Sequence, residues 1–300
     1  VQEHLKGMGE NALILHTDQY GKDYQFTYSP GDQHATCFVF HDRQVKAQEI
    51  KAFWNRKYAA PYSFEAEQNP TDAPYLREAH LLLFGYLNAT PTFCLDRLSD
   101  AIAAENKPLQ LRIAKEVGLN IPNSIFSNNP SEILQFIDVH QDQIVVKMQG
   151  VLSWSMTGNS DFFYTRQVSR NDLEHSPVLS IYPLIYQQLI KKAFELRVIY
   201  VDGQCFCGKI PDLGENIIDW RKPGVQFQWK EGSVPLSIQS KLMTLINRLN
   251  LKFGAIDLIK SQDGKYYFLE VNPTGEWGML EKDLNLPISE QIAKTLIKYS

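Results

Sequence analysis

Nothing in this 300-residue chain approaches the ~20 consecutive apolar residues of a membrane-spanning helix, and no secretory signal is visible. Cysteine is scarce. The four present, Cys37, Cys94, Cys205 and Cys207, form no paired CxxC knuckles, which argues against structural zinc and points to reduced thiols in a cytoplasmic protein. An excess of one charge is also missing: 30 basic against 34 acidic residues give a formal net charge of −4, with no global pull toward nucleic acid or a membrane surface. The chain contains no GxxxxGK[ST] phosphate loop, no GxGxxG dinucleotide fingerprint and no GxSxG nucleophile elbow. Its seven histidines are scattered and none is given a catalytic role. There are no repeats and no low-complexity tract.

What is present is an alternation of strand and helix patterns, an α/β (α+β) composition. VQEHLKGMG reads as a helix closed by Gly9, followed by a strand in ALILHT. An α/β domain usually places a strand before such a helix, so a strand preceding Val1 is expected. TCFVFH reads as a strand, VKAQEIKAFWN and DAPYLREAHLLLFGYL as helices, and LDRLSDAIAAENKPLQLRIAKEVGL as a helical stretch ending at Gly118. Further strands are expected in NSIFS, IVVKM, LIYQQLI, FELRVIYV and QCFCGKI, with helices in PSEILQFIDVH, SIQSKLMTLINRLNL and PISEQIAKTLIKY.

FGAIDLI and YYFLEVN are apolar runs joined by a QDG turn, an antiparallel hairpin. Side chains two apart on a strand share a face. Glu270 and Asn272 therefore point the same way, and Asp257 on the partner strand can reach them. Carboxylates in an apolar strand are costly without partners. Two carboxylates and a carboxamide on one face suit a hard divalent cation such as Mg²⁺; the competing explanation is an edge hairpin whose acids pair with surface lysines. Lys147, within IVVKM, would suit a phosphate, or would snorkel from a strand edge. The small-residue loop from Gly150 to Gly158 follows it and could fold over phosphates. Arg197 in FELRV suits a phosphoryl or acyl-phosphate oxygen, or a structural ion pair.

The succession ENKPLQLRIAKEVGLNIP (105–122), VVKM (145–148), QQLI (187–190), ELR (195–197), GAIDL (254–258) and FLEVNP (268–273) resembles the ATP-grasp superfamily over about two thirds of the chain. VLSWSMTGNSDFFYT, IIDWR and EVNPTGEWGMLEKDLNLPISEQIAKTLI bring the resemblance closest to the ligases that macrocyclise microviridin-type peptides, the graspetides. The resemblance implies an ATP-grasp fold in three parts. These are an N-terminal pre-ATP-grasp α/β domain (1–92), a central domain with a lid loop (93–185), and a C-terminal antiparallel-sheet domain holding the metal (186–300).

It also implies roles. Lys107 and Lys147 match the lysines that contact ATP; Gln188, Leu189 and Ile190 match the hinge beside adenine, with Gln-Gln where Gln-Glu is usual. Arg197 matches the arginine near the transferred phosphate, a catalytic role shared with Lys147, and Asp257, Glu270 and Asn272 match the Mg²⁺ ligands. The implied reaction phosphorylates Glu or Asp side chains of a ribosomal precursor peptide. A Lys amine or a Ser/Thr hydroxyl then attacks the acyl phosphate and closes an ω-amide or ω-ester ring. The GEWGMLEKDL tail leans to the amide-forming branch. Implied partners are the leader helix and core of the precursor, and a second copy of the chain; nucleic acid and membrane are not expected. Trp220 and Arg221, in a polar stretch after Cys207, are candidate peptide anchors, against packing of Trp220 with Trp229 in a small core. The rival functions are an ATP-grasp ligase of free amino acids or protein tails, and a non-catalytic ATP-binding module.

Overall fold

A computed structural model describes residues 1–32, 34–59, 73–149, 164–174, 180–211, 214 and 217–300. The Gly150–Gly158 loop lies outside the described residues. The N-terminal part contains α1 (Gln2–Gly7), β1 (Tyr24–Thr27), β2 (Cys37–Phe40), β3 (Gln44–Lys46), β4 (Ala52–Trp54), α2 (Ala73–Ala89) and β5 (Phe93–Leu95). Strands β1, β2 and β3 form an antiparallel sheet, and β4 pairs with β5 in parallel.

Two local expectations fail here. ALILHT forms no strand, and VKAQEIKAFWN is not a helix: it ends β3, makes a 3₁₀ turn at Ala47–Glu49 and enters β4. Glu49 Oε2 accepts the Lys46 N–H at 2.6 Å and closes that turn. The residues that follow serve two cores. Phe53 packs with Tyr24, Phe26 and Phe38, whereas Ala52 and Trp54 face the core under the large sheet. That is the two-residue period of a strand imposed by tertiary contacts.

Next come α3 (Leu98–Ala104), α4 (Lys107–Glu116), β6 (Ser124–Ser127), α5 (Pro130–His140), β7 (Ile144–Lys147), β8 (Arg166–Val168), α6 (Arg170–Glu174) and β9 (Leu184–Gln188). The helical stretch over 95–119 divides at Asn106, whose side chain accepts the Leu109 N–H at 2.9 Å as an N-cap, with Pro108 in the first turn. The break places Lys107 at the start of α4. Strands β6, β9, β7 and β8 form a four-stranded antiparallel sheet in that order.

The remainder contains β10 (Lys192–Val201), β11 (Gln204–Pro211), β12 (Lys230–Glu231), α7 (Leu236–Arg248), β13 (Phe253–Ser261), β14 (Tyr266–Asn272), α8 (Gly278–Leu284) and α9 (Ile288–Lys298). The sheet order is β12-β11-β10-β13-β14, all antiparallel. Alternation on β10 explains how this sheet is buried on both sides. Leu196, Val198 and Tyr200 pack under α4 and α7, while Ile199 and Val201 pack under α8 and α9. Among the described residues no helix is long and apolar enough to cross a membrane. The described residues therefore form a mixed α/β fold with three antiparallel sheets and one parallel strand pair.

Candidate active site

The register of the β13–β14 hairpin builds the site. Asp257 pairs with Glu270 and Ala255 with Asn272, but Leu258 pairs with Phe268, so Leu269 is an extra residue. The bulge reverses the alternation. Phe268 and Val271 face the core under α4 and α7, and Glu270 and Asn272 turn to the face carrying Asp257. Arg197 on β10 lies directly across from Asp257, and its Nη1 donates to both carboxylate oxygens at 2.7 and 2.8 Å. Asn272 Nδ2 lies 3.4 Å from Glu270 Oε1.

Glu270 forms an ion pair with Lys107 at the N-terminal turn of α4; the two side chains are 13% and 12% exposed. Gln110 fixes that helix. Its Nε2 donates to Val271 O at 2.8 Å and to Ala104 O at 2.6 Å, and its Oε1 accepts the Val271 N–H at 3.0 Å. It satisfies the free edge of β14 and registers Lys107 against Glu270. Sequence reasoning missed Gln110. A polar residue among the apolar positions of α4 was the available signal.

The hairpin face closes one wall of a cavity of about 440 Å³ lying against the four-stranded sheet. Lys107, Lys147, Gln188, Leu189, Ile190, Asp257 and Glu270 all line it. Arg197 and Asn272 stand behind this wall, held to Asp257 and beside Glu270. The chain leaving β9 has its backbone committed: the Gln188 N–H donates to Asn123 O and the Leu189 N–H to Gln143 O, both at 2.8 Å.

Lining residues not foreseen include Lys192, Glu195, Asp219 and Thr165. Lys192 Nζ donates to Glu195 Oε1 at 2.6 Å and to Ile217 O at 2.8 Å. Burial raises the Glu195 carboxyl, and Lys192 opposes that rise. Asp219, 4% exposed, accepts Arg221 Nε and Nη2 at 2.9 Å each and the Thr165 N–H at 3.1 Å. Thr165 stands at the entry to β8.

Trp220 and Arg221 also line this cavity. Trp220 is half-buried and packs edge-on against Phe227 and Trp229, at 5.7 and 5.6 Å between ring centres, the packing weighed against a peptide anchor. Arg221 is aimed by the buried Asp219 toward the same charges as Lys107 and Lys147.

Buried charges of both signs meet at this wall. Burial pushes the Lys147 ammonium down to about 8, with Glu270 pulling the other way and Lys107 adding to the drop. Burial alone would raise Glu270, but Lys107, Lys147 and Arg221 outweigh it and hold its carboxyl well below the usual range. Among the described residues no three His, Cys, Asp or Glu side chains converge on a common point. The donor set here is two carboxylates and one carboxamide, all hard oxygen donors on one face. That set fits Mg²⁺ completed by phosphate oxygens and does not fit a soft-metal cage.

Residues 1–101 match the family model described as the MvdD pre-ATP grasp domain. The chain superposes on macrocyclase MdnC of Microcystis aeruginosa, solved with precursor peptide MdnA, at a TM-score of 0.87 and 28% identity, covering 99% of this chain and 94% of MdnC. A Chryseobacterium gregarium RiPP-associated ATP-grasp ligase, solved with ADP and a leader and core peptide, gives a TM-score of 0.88 at 27% identity over 100% of this chain and 92% of that one. The chain is an ATP-dependent ligase with the ATP-grasp fold, similar over nearly its whole length to both of these enzymes. Macrocyclase MdnB of M. aeruginosa is similar at 29% identity, with a TM-score of 0.77 over 99% of the ligase described here and 93% of MdnB. No curated protein matches the chain by sequence. The comparisons make the enzyme an ATP-dependent ligase, which sets aside the non-catalytic ATP-binding alternative.

Proposed function

We propose that this ligase activates Glu or Asp side chains of a ribosomal precursor peptide as acyl phosphates and closes ω-amide macrocycles, with the ω-ester as the other product of the same chemistry. The observation that carries the reading is the cavity wall in which Lys107, Lys147 and Arg221 face Glu270 and Asp257: three cations for phosphates and two carboxylates for a cation between them. The structural relatives solved with leader and core peptides support a peptide as the acceptor.

In this reading Gln188, Leu189 and Ile190 bracket the adenine, and Lys107, Lys147 and Arg221 bind the phosphates. Asp257, Glu270 and Asn272 would hold Mg²⁺, which when bound neutralises charge on the β- and γ-phosphates. Lys107 would then exchange its Glu270 partner for a phosphate oxygen. Arg197, fixed by Asp257, is positioned to meet charge spreading onto the transferred phosphoryl group. Transfer converts a carboxylate, whose leaving group would be oxide, into an acyl phosphate, whose leaving group is phosphate. A peptide amine or hydroxyl attacks the carbonyl, the C–O bond to phosphate breaks, and the nucleophile's proton leaves. No protein nucleophile is needed.

We divide the chain as 1–92, 93–185 and 186–300; β5, which opens the second part, ties it to the first by pairing with β4. The cytoplasm is the compartment we assign, in keeping with four free thiols, and a homodimer is the assembly expected from the resemblance. The decisive experiment supplies ATP, Mg²⁺ and a candidate precursor peptide with its leader and core. Each ring closed lowers the peptide mass by one water and releases one ADP. ADP release without mass loss, or turnover of free amino acids with no turnover of peptide, would overturn the reading.

A further inference from the structure

We propose that Arg56, Lys57 and Arg197, gathered around the loop that follows β14, form the seat of the substrate carboxylate, and that Glu276 holds this seat in the free protein. The inference rests on the ligase reading and deepens it.

The loop 273–277 lies flat on the sheet. A Cβ built at Gly275 would come within 2.4 Å of the Ala255 side chain, so only glycine permits that approach. Cations reach the loop from two sides. Arg56, just beyond β4, donates through Nη1 to Thr274 O and through Nη2 to Glu276 Oε2, both at 2.6 Å, and Lys57 Nζ lies 2.5 Å from Glu276 Oε1. From below, Arg197 Nη2 donates to Glu276 O at 3.3 Å while Nη1 remains on Asp257.

Donors are in surplus here. Arg197 Nε and Trp277 Nε1 are buried and have no hydrogen-bond acceptor among the described residues. Arg197 is 7% exposed, so its unpaired donor is not served by bulk water. The one carboxylate in the loop, Glu276, is 47% exposed, and its partner Lys57 46%. Such exposed pairs hold weakly and exchange readily. If Glu276 swings out, the Arg56–Thr274 bond keeps the guanidinium in place. Arg197 bonds the Glu276 backbone carbonyl, its charge helps to lower the Glu276 carboxyl, and it also holds Asp257, so a carboxylate at the vacated position lies beside the face that would carry the metal and the phosphoryl group. It also satisfies the chemistry of the reaction: a carboxylate brought beside a triphosphate needs cations of its own.

The test uses glutarate as a side-chain carboxylate mimic. Its binding to the protein with AMPPNP and Mg²⁺ is measured by saturation-transfer NMR for wild type, E276Q and R56K. Removing the internal competitor should tighten glutarate binding about three- to tenfold in E276Q, and replacing the forked guanidinium should weaken it by a similar factor in R56K. AMPPNP affinity should be the same in all three. Equal glutarate affinity in the three proteins, or affinities of AMPPNP and glutarate that fall together, would overturn the seat. The ligase reading has its own readout. With ATP and hydroxylamine, the wild type should convert a peptide glutamate to its hydroxamate, the hydroxylamine nitrogen displacing phosphate from the acyl carbon. Glutarate binding without hydroxamate would sink that reading and leave an anion seat of another use.

Discussion

Replacing Glu270 by Gln gives a result that depends on whether metal is present. Glu270 and Lys107 are 13% and 12% exposed, and Lys147 and Arg221 also press on the same carboxylate. Removing one partner of a buried pair costs ~3–5 kcal/mol, and the lower figure applies in an open cleft. That is a tolerable share of the ~5–15 kcal/mol that stabilises a folded domain, so E270Q should fold, with a melting temperature roughly 5–10 °C lower. Nucleotide binding should then split. Without metal, the carboxylate repels phosphates; at about 5 Å and an effective dielectric of about 20, one such pair is worth ~3 kcal/mol. E270Q should therefore bind ATP in EDTA about ten- to a hundredfold more tightly than wild type. With Mg²⁺ the order reverses for catalysis: a lost ligand charge should lower ADP release at least about a hundredfold. Calorimetric titration of ATP with and without Mg²⁺, beside a coupled ADP assay, reads both limbs. An unchanged metal dependence together with near-wild-type ADP release would refute the assignment of Glu270 as a metal ligand.

Because the Lys147 ammonium is pushed down to about 8, the folded protein binds fewer protons than the unfolded chain between that pH and about 10.4. Its contribution to the stability of the free protein should therefore rise with pH across that window and stay flat below it. Phosphates should restore the charge, so ATP binding at pH 8 should take up as much as about half a proton, measured calorimetrically in buffers of different ionisation enthalpy and abolished in K147M. D219N, which frees Arg221 and the Thr165 N–H, should raise the KM for ATP about tenfold while lowering kcat less; an unchanged KM would reduce Asp219 to a structural role. Gly275→Ala should cost about 1–3 kcal/mol in a denaturant titration, because its Cβ meets Ala255. A precursor shortened to its core should be processed far more slowly than the full peptide, and R221A should weaken ATP at least as much as precursor, since Arg221 lines the same cavity as Lys107 and Lys147.

Local pattern carried the elements whose periodicity matches their burial. The helix at α7, the strand pairs of the large sheet and the turn of the β13–β14 hairpin follow from apolar spacing and turn residues. The two-residue spacing of Glu270 and Asn272 gave their common face directly, whereas the break at Asn106 that starts a helix at Lys107 went unread within 95–119. Where local pattern misled, a residue was serving two cores, as in 45–55, whose apolar spacing fits a helix until Phe53 and Trp54 are claimed by opposite layers.

Only the folded chain decided the rest. The bulge at Leu269, which turns Glu270 toward Asp257 while Phe268 faces away, is a matter of register with β13. Gln110 acquires its meaning from the free edge of a strand 161 residues away, and Arg56 from a carboxylate 220 residues away. The polarity of the stretch around Trp220 and Arg221 was visible in the sequence, but the buried Asp219 that turns Arg221 inward was not. Side-chain periodicity is a property of a few consecutive residues and is written locally. Register, edge satisfaction and charge partners are set by which segments meet, and two segments far apart in sequence carry no mark of each other until the chain has folded.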